Sequence, residues 1–356
     1  MSRQFSILII LICSVAFLFP PHATTPKSVN NNGKISAFIY HKFGEESKYP
    51  STSISTELFE EHLEYLKQNN YTVLTLGKAL ERLHSANDLP ENTAVLTMDD
   101  GYKSIKTNAL PLLEEYGYKA TIFVATSHVG GNNYLSWEEL QALQEKGFEI
   151  GNHSHSHAHF VNYAPDRITK VFEQDLKKSQ RLFRENLNKT AELYAYPFGE
   201  YCPGMQNILQ KHGYRAAAAQ RSGVMHKKSD QFALPRFPMN QYYGEMEKFR
   251  DKIGMHPLGV TDVNPKTPVL SEQKKPGFTL TVQNNRINPN GLQCFLDGER
   301  NCTVEAREKN ASTFLRVQAD RELNSRRTTF TVTAPSMDGK KWFWHSRVLI
   351  MPEHGE

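Results

Sequence analysis

The chain has 356 residues, 39% of them hydrophobic and 22% charged, with a formal net charge of +4. This is ordinary globular composition, long enough for two domains or for one large domain with an appendage. No basic block is long enough for a nucleic-acid footprint, which excludes nucleic acid as an expected partner.

The first feature along the chain is Arg3 followed by an apolar run, Phe5 to Phe19, and then PPHATTPKS with small residues around Ala23. The pattern predicts a secretory signal peptide over 1–23, with an uncleaved N-terminal anchor as the alternative. The run is shorter than the about 20 apolar residues of a spanning helix. Either reading implies export, to a periplasm, a cell envelope or the medium, with no other membrane contact.

ISAFIYH (35–41) then reads as a buried strand, and LFEEHLEYLKQN as a helix with Leu58, His62, Leu63 and Leu66 on one side. Strand YTVLTL, helix LGKALERLHS and the apolar run of NTAVLTMDDGY follow. Next come a helix through Ala109 to Tyr116, strand ATIFVAT, helix SWEELQALQEKG, FEIGNHSH, helix ITKVFEQDLKKSQRLFRENL and LYAYPFGEY. Strands alternating with helices predict an α/β fold of parallel strands and helical crossovers, either a barrel or an open sheet. In both, chemistry gathers at the C-terminal strand ends. After about residue 250 the pattern changes. Residues 246–275 are expected to be a linker, proline-rich and polar. The runs FTLTVQ, LQCFL, FLRVQA, TTFTVTA and WFWHSRVLI predict a small antiparallel, sandwich-like β domain over 276–352.

Of the four cysteines, Cys13 lies in the apolar run. Cys294 and Cys302 flank an Asp297-Gly298 turn and are a plausible disulfide in an oxidising compartment, with two reduced thiols as the alternative. Cys202 is then unpaired. Trp342, Phe343 and Trp344 are either a sugar-stacking surface or, the commoner fate, core.

Three strand ends carry polar residues. In TMDDGYKS, Asp99 and Asp100 are adjacent, so alternation aims them differently and allows one to bind a metal while the other serves as a base. A solvated Asp-Gly turn is the alternative. In GNHSHSHAHF, histidines stand at 153, 155, 157 and 159. His153 and His157, four apart, share one ion if the chain turns helically after the strand, and with one carboxylate they form a catalytic-type site with open positions. His155 and His159 are then neighbours, not ligands. In YAYPFGEY, Pro197 and Gly199 make a sharp turn able to aim a backbone N–H into a site.

These three stretches, in this order, resemble the motifs of the NodB-homology polysaccharide deacetylases, carbohydrate esterase family 4, over about residues 35–245. The resemblance implies a distorted (β/α) barrel, followed here by the small β domain. It implies Asp99 as base, Asp100, His153 and His157 as ligands of a divalent metal expected to be Zn²⁺, and the Phe198 N–H as oxyanion donor. FIYHKFG is similar to the N-terminal Tyr-His of circularly permuted members, some acting on poly-N-acetylglucosamine, which makes His41 the candidate general acid. The family usually has arginine where this chain has Ala195, and Arg236 in LPRFPMN is expected to fill that role. The implied activity is hydrolysis of N-acetyl groups on a polysaccharide containing N-acetylglucosamine: peptidoglycan, poly-N-acetylglucosamine or a chitin-like chain. An O-acetyl esterase on xylan and a non-catalytic glycan-binding module are the rival readings. No organic cofactor is implied.

Overall fold

The computed structural model describes residues 33–85, 89–270, 275–283, 287–309 and 312–353. The expected signal segment, 1–23, lies outside them. No helix among the described residues is long and apolar enough to cross a membrane.

In chain order the elements are β1 (Lys34–Tyr40), β2 (Lys42–Phe43), β3 (Ser53–Ile54), α1 (Thr56–Gln68), β4 (Thr72–Leu74), α2 (Leu76–His84), β5 (Thr93–Met98), α3 (Leu110–Glu115), β6 (Thr121–Val124), α4 (Trp137–Glu145), β7 (Glu149–Asn152), α5 (Ile168–Leu187), β8 (Leu193–Ala195), α6 (Pro203–Lys211), β9 (Ala216–Ala218), β10 (Met225–His226) and β11 (Phe237–Pro238). A curled nine-stranded sheet runs β10-β1-β5-β6-β7-β8-β9, with β11 also on β1 and β4 also on β5. The successive pairs from β1 to β9 are parallel, whereas β10 is antiparallel to β1.

Alternation divides each strand between two cores. Ile35, Ala37, Val95, Phe123, Leu193 and Ala195 face one core, which Leu76, Leu80 and Leu83 of α2 join. Phe38, Tyr40, Leu96, Met98, Ile122 and Val124 face the helices. Gly151 exists for the inner core: a Cβ there would lie 2.5 Å from the Phe123 ring. Helix α1 begins where Ser55 accepts a hydrogen bond from the Leu58 N–H at 3.1 Å. Its buried face is Phe59, His62, Leu63 and Leu66, so Phe59 takes the place expected for Leu58, which is only partly buried.

The expected linker instead holds α7 (Met246–Gly254), β12 (His256–Pro257) and β13 (Val260–Asn264). The reasons are local. Phe249 and Ile253, one helical turn apart, are buried, and the Phe249 ring stacks on His62 at 4.0 Å. Pro257 is tolerated because β12 is an edge strand, where a missing N–H breaks no ladder. Beyond these come β14 (Gly277–Val282), β15 (Gln293–Leu296), β16 (Cys302–Lys309), β17 (Ser312–Ala319), β18 (Arg327–Pro335) and β19 (Trp342–Ile350), in two four-stranded sheets, β12-β19-β18-β15 and β13-β14-β17-β16. Cys294 and Cys302 form a disulfide, and Cys202 is a free thiol.

Strand β19 joins the two halves of the molecule. Phe343 and Leu349 enter the sandwich core, while Val348 and Ile350, on the opposite face, enter the barrel's core. The aromatic triplet is therefore mostly structural. Phe343 is buried, Trp344 packs edge-on to Phe237 at 5.8 Å, and Trp342 alone is exposed.

Candidate active site

The alternation that puts residues 35, 37, 95 and 193 inside the sheet's curve puts 41, 97, 99 and 153 on the same side at the strands' C-terminal ends. Asp99 follows β5 and lies beside β1, its N–H bonded to the Tyr40 carbonyl at 2.9 Å. Arg236, fully buried, grips it with both terminal nitrogens, Nη1 to Oδ1 at 2.7 Å and Nη2 to Oδ2 at 2.9 Å. Arg236 Nη1 also reaches Thr97 Oγ1 at 3.0 Å, and Nε reaches the Ala219 carbonyl at 3.2 Å. Burial pushes the Asp99 carboxyl up, but the Arg236 guanidinium, helped by His153 and His41, more than offsets it and holds Asp99 below the usual carboxylate range.

Asp100 turns the other way. Its φ of +70° and that of Gly101, +76°, swing the chain sharply after β5, and a Cβ at 101 would crowd Val124 at 2.9 Å. The turn brings Asp100 Oδ1 to 3.3 Å from His153 Nε2 and 3.1 Å from His157 Nε2. One ligand atom from each residue lies within 4.8 Å of the others. The chain between the two histidines is not the helical turn expected from their spacing. It is a loop with left-handed residues at Ser154 (φ +73°) and His157 (φ +53°), closed by the His157 N–H on Ser154 Oγ at 2.8 Å. Asp175 of α5 fastens the loop by accepting the N–H groups of His155 and Ser156 at 2.6 and 2.9 Å.

This donor set fits a divalent cation. His153 Nδ1 lies 2.7 Å from the Ala195 carbonyl, which can only accept, so Nδ1 carries the hydrogen and Nε2 presents a lone pair. Asp100 Oδ1 is buried and, despite its two imidazole neighbours, has no aligned hydrogen-bond partner. A buried carboxylate oxygen without a donor is costly, and a cation is the group that would satisfy it. The other two histidines of the run diverge: His155 Nδ1 pairs with Thr126 Oγ1 at 2.9 Å, and His159 stacks on Phe198 at 3.6 Å.

His41 follows β1 and lies close enough to Asp99, Asp100 and His153 to feel their charges. Burial pulls its imidazole below the ordinary value, and the two carboxylates pull the other way. Phe198 sits in the turn Pro197–Gly199 with φ +57°, its ring edge-on to His157 at 4.7 Å. The Gly199 and Glu200 N–H groups close that turn on the Tyr196 and Pro197 carbonyls, at 2.8 and 3.1 Å.

Sequence reasoning passed over Glu200, buried beside Phe198 and 3.0 Å from His159 Nδ1, and Arg326, which reaches it from 126 residues away. Glu200 had a signal, as an acid in a proline-glycine turn. Arg326 had none.

Residues 86–217 match the family model described as polysaccharide deacetylase. Over 212 residues the chain is 26% identical to the poly-beta-1,6-N-acetyl-D-glucosamine N-deacetylase of Staphylococcus aureus, covering 57% of this chain and 72% of that protein. In structure it is similar to the Streptococcus pyogenes deacetylase PplD in complex with acetate (TM-score 0.56, 23% identity, 62% of this chain and 98% of that one). It is also similar to IcaB from Ammonifex degensii (TM-score 0.55, 24% identity, 61% and 96%). Both likenesses are in fold, and both leave more than a third of this chain unmatched.

Proposed function

We infer the reaction from the premise that this chain carries a polysaccharide deacetylase domain of the NodB-homology type: it is an exported, metal-dependent N-deacetylase of a polymer containing N-acetylglucosamine. The observation that carries this reading is the division of labour between adjacent acids, Asp99 held ionised by Arg236 and Asp100 directed at His153 and His157. The catalytic unit is assigned to 35–245 and the appended β unit to 276–352. Export rests on Arg3 and the apolar run Phe5 to Phe19.

An acetamide is a poor electrophile. Asp100, His153 and His157 would hold a divalent cation, for which Zn²⁺ suits the two-nitrogen, one-oxygen donor set, and when bound it would supply Lewis acidity and lower the pKa of a water toward about 7. Asp99 accepts a proton from the attacking water, and Arg236 keeps it in the form able to do so. The Phe198 N–H donates to the carbonyl oxygen as negative charge develops, an interaction typically worth about 3 kcal/mol when removed. His41 delivers a proton to the departing nitrogen, favoured in its charged form by the two carboxylates and opposed by its burial. A C–O bond forms and the C–N bond breaks, releasing acetate and a free amine on the sugar.

The test is mass spectrometry of β-1,6-linked N-acetylglucosamine oligomers after incubation with the zinc-loaded chain. Loss of acetyl mass is expected, with Asp99→Asn slower by roughly 10²–10⁴-fold and a chelator stopping the parent. Release of acetate only from acetylxylan, or full turnover by Asp99→Asn, would overturn the assignment.

A further inference from the structure

Phe198 is a bulky residue in the left-handed region, a strained conformation that persists only where its surroundings over-determine it. Two of those surroundings come from the β unit. Arg326 Nη2 donates to Glu200 Oε2 at 2.8 Å and lies 3.2 Å from His159 Nδ1, while Nη1 donates to Asn162 Oδ1 at 2.6 Å. Glu200 in turn lies 3.0 Å from His159 Nδ1, and the His159 ring lies flat on Phe198, 3.6 Å away and inclined by 11°. On the turn's other side, Gly199 packs so tightly on Gln220 that a Cβ would fall 2.2 Å from its backbone nitrogen. The neighbouring Arg327 holds Gln220 through its carbonyl and, at 3.4 Å, its side-chain oxygen.

The arginines lie where the β unit meets the barrel. Arg327 opens β18, and the Arg326 carbonyl accepts the Met351 N–H at 2.8 Å, just past β19. Glu200 is buried to within 3% of its side chain and Arg326 to within 19%, so their charge-assisted contact is shielded from water.

We propose that Arg326 and Arg327 are positioning residues for deacetylation, clamping the Phe198 turn from both sides so that the β unit completes the active site. The proposal rests on the assignment of the Phe198 N–H as oxyanion donor. Neither arginine touches the reacting atoms. They act through Glu200, His159 and Gln220. A donor that matters only as charge develops on the carbonyl oxygen affects turnover and not substrate affinity.

The experiment uses the full zinc-loaded chain, its Arg326→Met and Arg326→Lys variants, and Glu200→Gln as a milder cut at the same contact. Arg326→Met should lower kcat at least about tenfold with KM unchanged, a fraction of the loss from deleting an oxyanion donor. Arg326→Lys should recover part of that, since it keeps the charge on Glu200 without the fork. Hydrogen–deuterium exchange should quicken at 196–201 and not elsewhere in the barrel, while zinc affinity holds; a lowered thermal midpoint is expected from the unpaired Glu200 and does not bear on the clamp. A kcat within about twofold of the parent overturns the proposal. So does unchanged exchange at 196–201, or a general rise in exchange with loss of zinc affinity, which would make Arg326 a folding residue. If the parent itself releases no acetate, the proposed reaction fails, and the exchange measurement still decides the clamp.

Discussion

At the scale of single residues, the pair Arg236–Asp99 bears most directly on the chemistry. A carboxylate this buried is tolerated because a bidentate guanidinium faces it, with Thr97 and the Ala219 carbonyl taking two more of the five donors of Arg236. Taking away one partner of such a pair typically costs about 3–5 kcal/mol, because the survivor is left charged and desolvated. Arg236→Met should therefore lose about that much stability by urea denaturation, and Asp99→Asn in the same chain should restore part of it. A loss under about 1 kcal/mol would mean that Asp99 finds another partner or takes up a proton. The guanidinium that meets Asp99 comes from 41 residues beyond Ala195, whose carbonyl lies against His153 Nδ1. In the sequence Arg236 is marked only by the family resemblance, and its burial and two-pronged contact with Asp99 come from the fold.

At the scale of elements, the start of α4 shows how helix termini stiffen the loops that carry the site. Ser136 and Glu139 form a capping box: the Glu139 N–H donates to Ser136 Oγ at 3.3 Å and the Ser136 N–H to Glu139 Oε2 at 2.9 Å. Glu139 also takes Lys103 at 2.7 Å and Lys106 at 2.9 Å, on the segment that leads away from Asp99 and Asp100. Burial alone would raise its carboxyl, but the lysines and the cap outweigh burial and lower it from 4.5 to about 2. The sign follows from linkage. A carboxyl depressed in the folded state contributes stability that is present above 4.5 and is lost as pH falls toward about 2. Glu139→Gln should flatten the fall in thermal midpoint between those values and cost about 1 kcal/mol at neutral pH, the lysines being half-exposed and screened. An unchanged acid limb would mean that the cap is not coupled to folding. The capping box is legible in SWEELQALQEKG, because Ser, Glu and an apolar period follow each other locally. The lysine contacts span more than 30 residues and are not.

At the scale of the whole molecule, the barrel and the sandwich share β19. Its alternate residues serve two cores, so neither unit can open without exposing the other's apolar surface. One cooperative unfolding transition is expected by calorimetry. The Cys294–Cys302 disulfide closes a short loop in the sandwich, and its loss should cost on the order of 2–3 kcal/mol by restoring freedom to the unfolded chain. Because of β19, Cys294→Ala with Cys302→Ala should lower the midpoint of that single transition, and the appearance of a separate early transition would show that the two units unfold independently.

What the sequence determined by itself was whatever repeats over a few residues. The alternation of strand and helix through 35–201 could be read because hydrophobic period is a local property. So could the adjacency of Asp99 and Asp100, because strand geometry sends neighbours to opposite faces, and so could the Cys294–Cys302 disulfide, whose cysteines flank a short Asp-Gly turn. Tertiary structure alone decided the rest. It turned the run 246–275 from an expected linker into α7 and two strands, because Phe249 found His62 and Pro257 found an edge. It brought His153 and His157, the pair expected from the sequence, to Asp100 through left-handed residues at Ser154 and His157 in place of the expected helical turn, a path that spacing cannot encode. It also closed Arg236, expected from the resemblance, on Asp99 across 137 residues, and Arg326, which nothing in the sequence marks, on Glu200 across 126. Such contacts depend on where the chain returns in space, and the energy that selects them is burial summed over the whole fold.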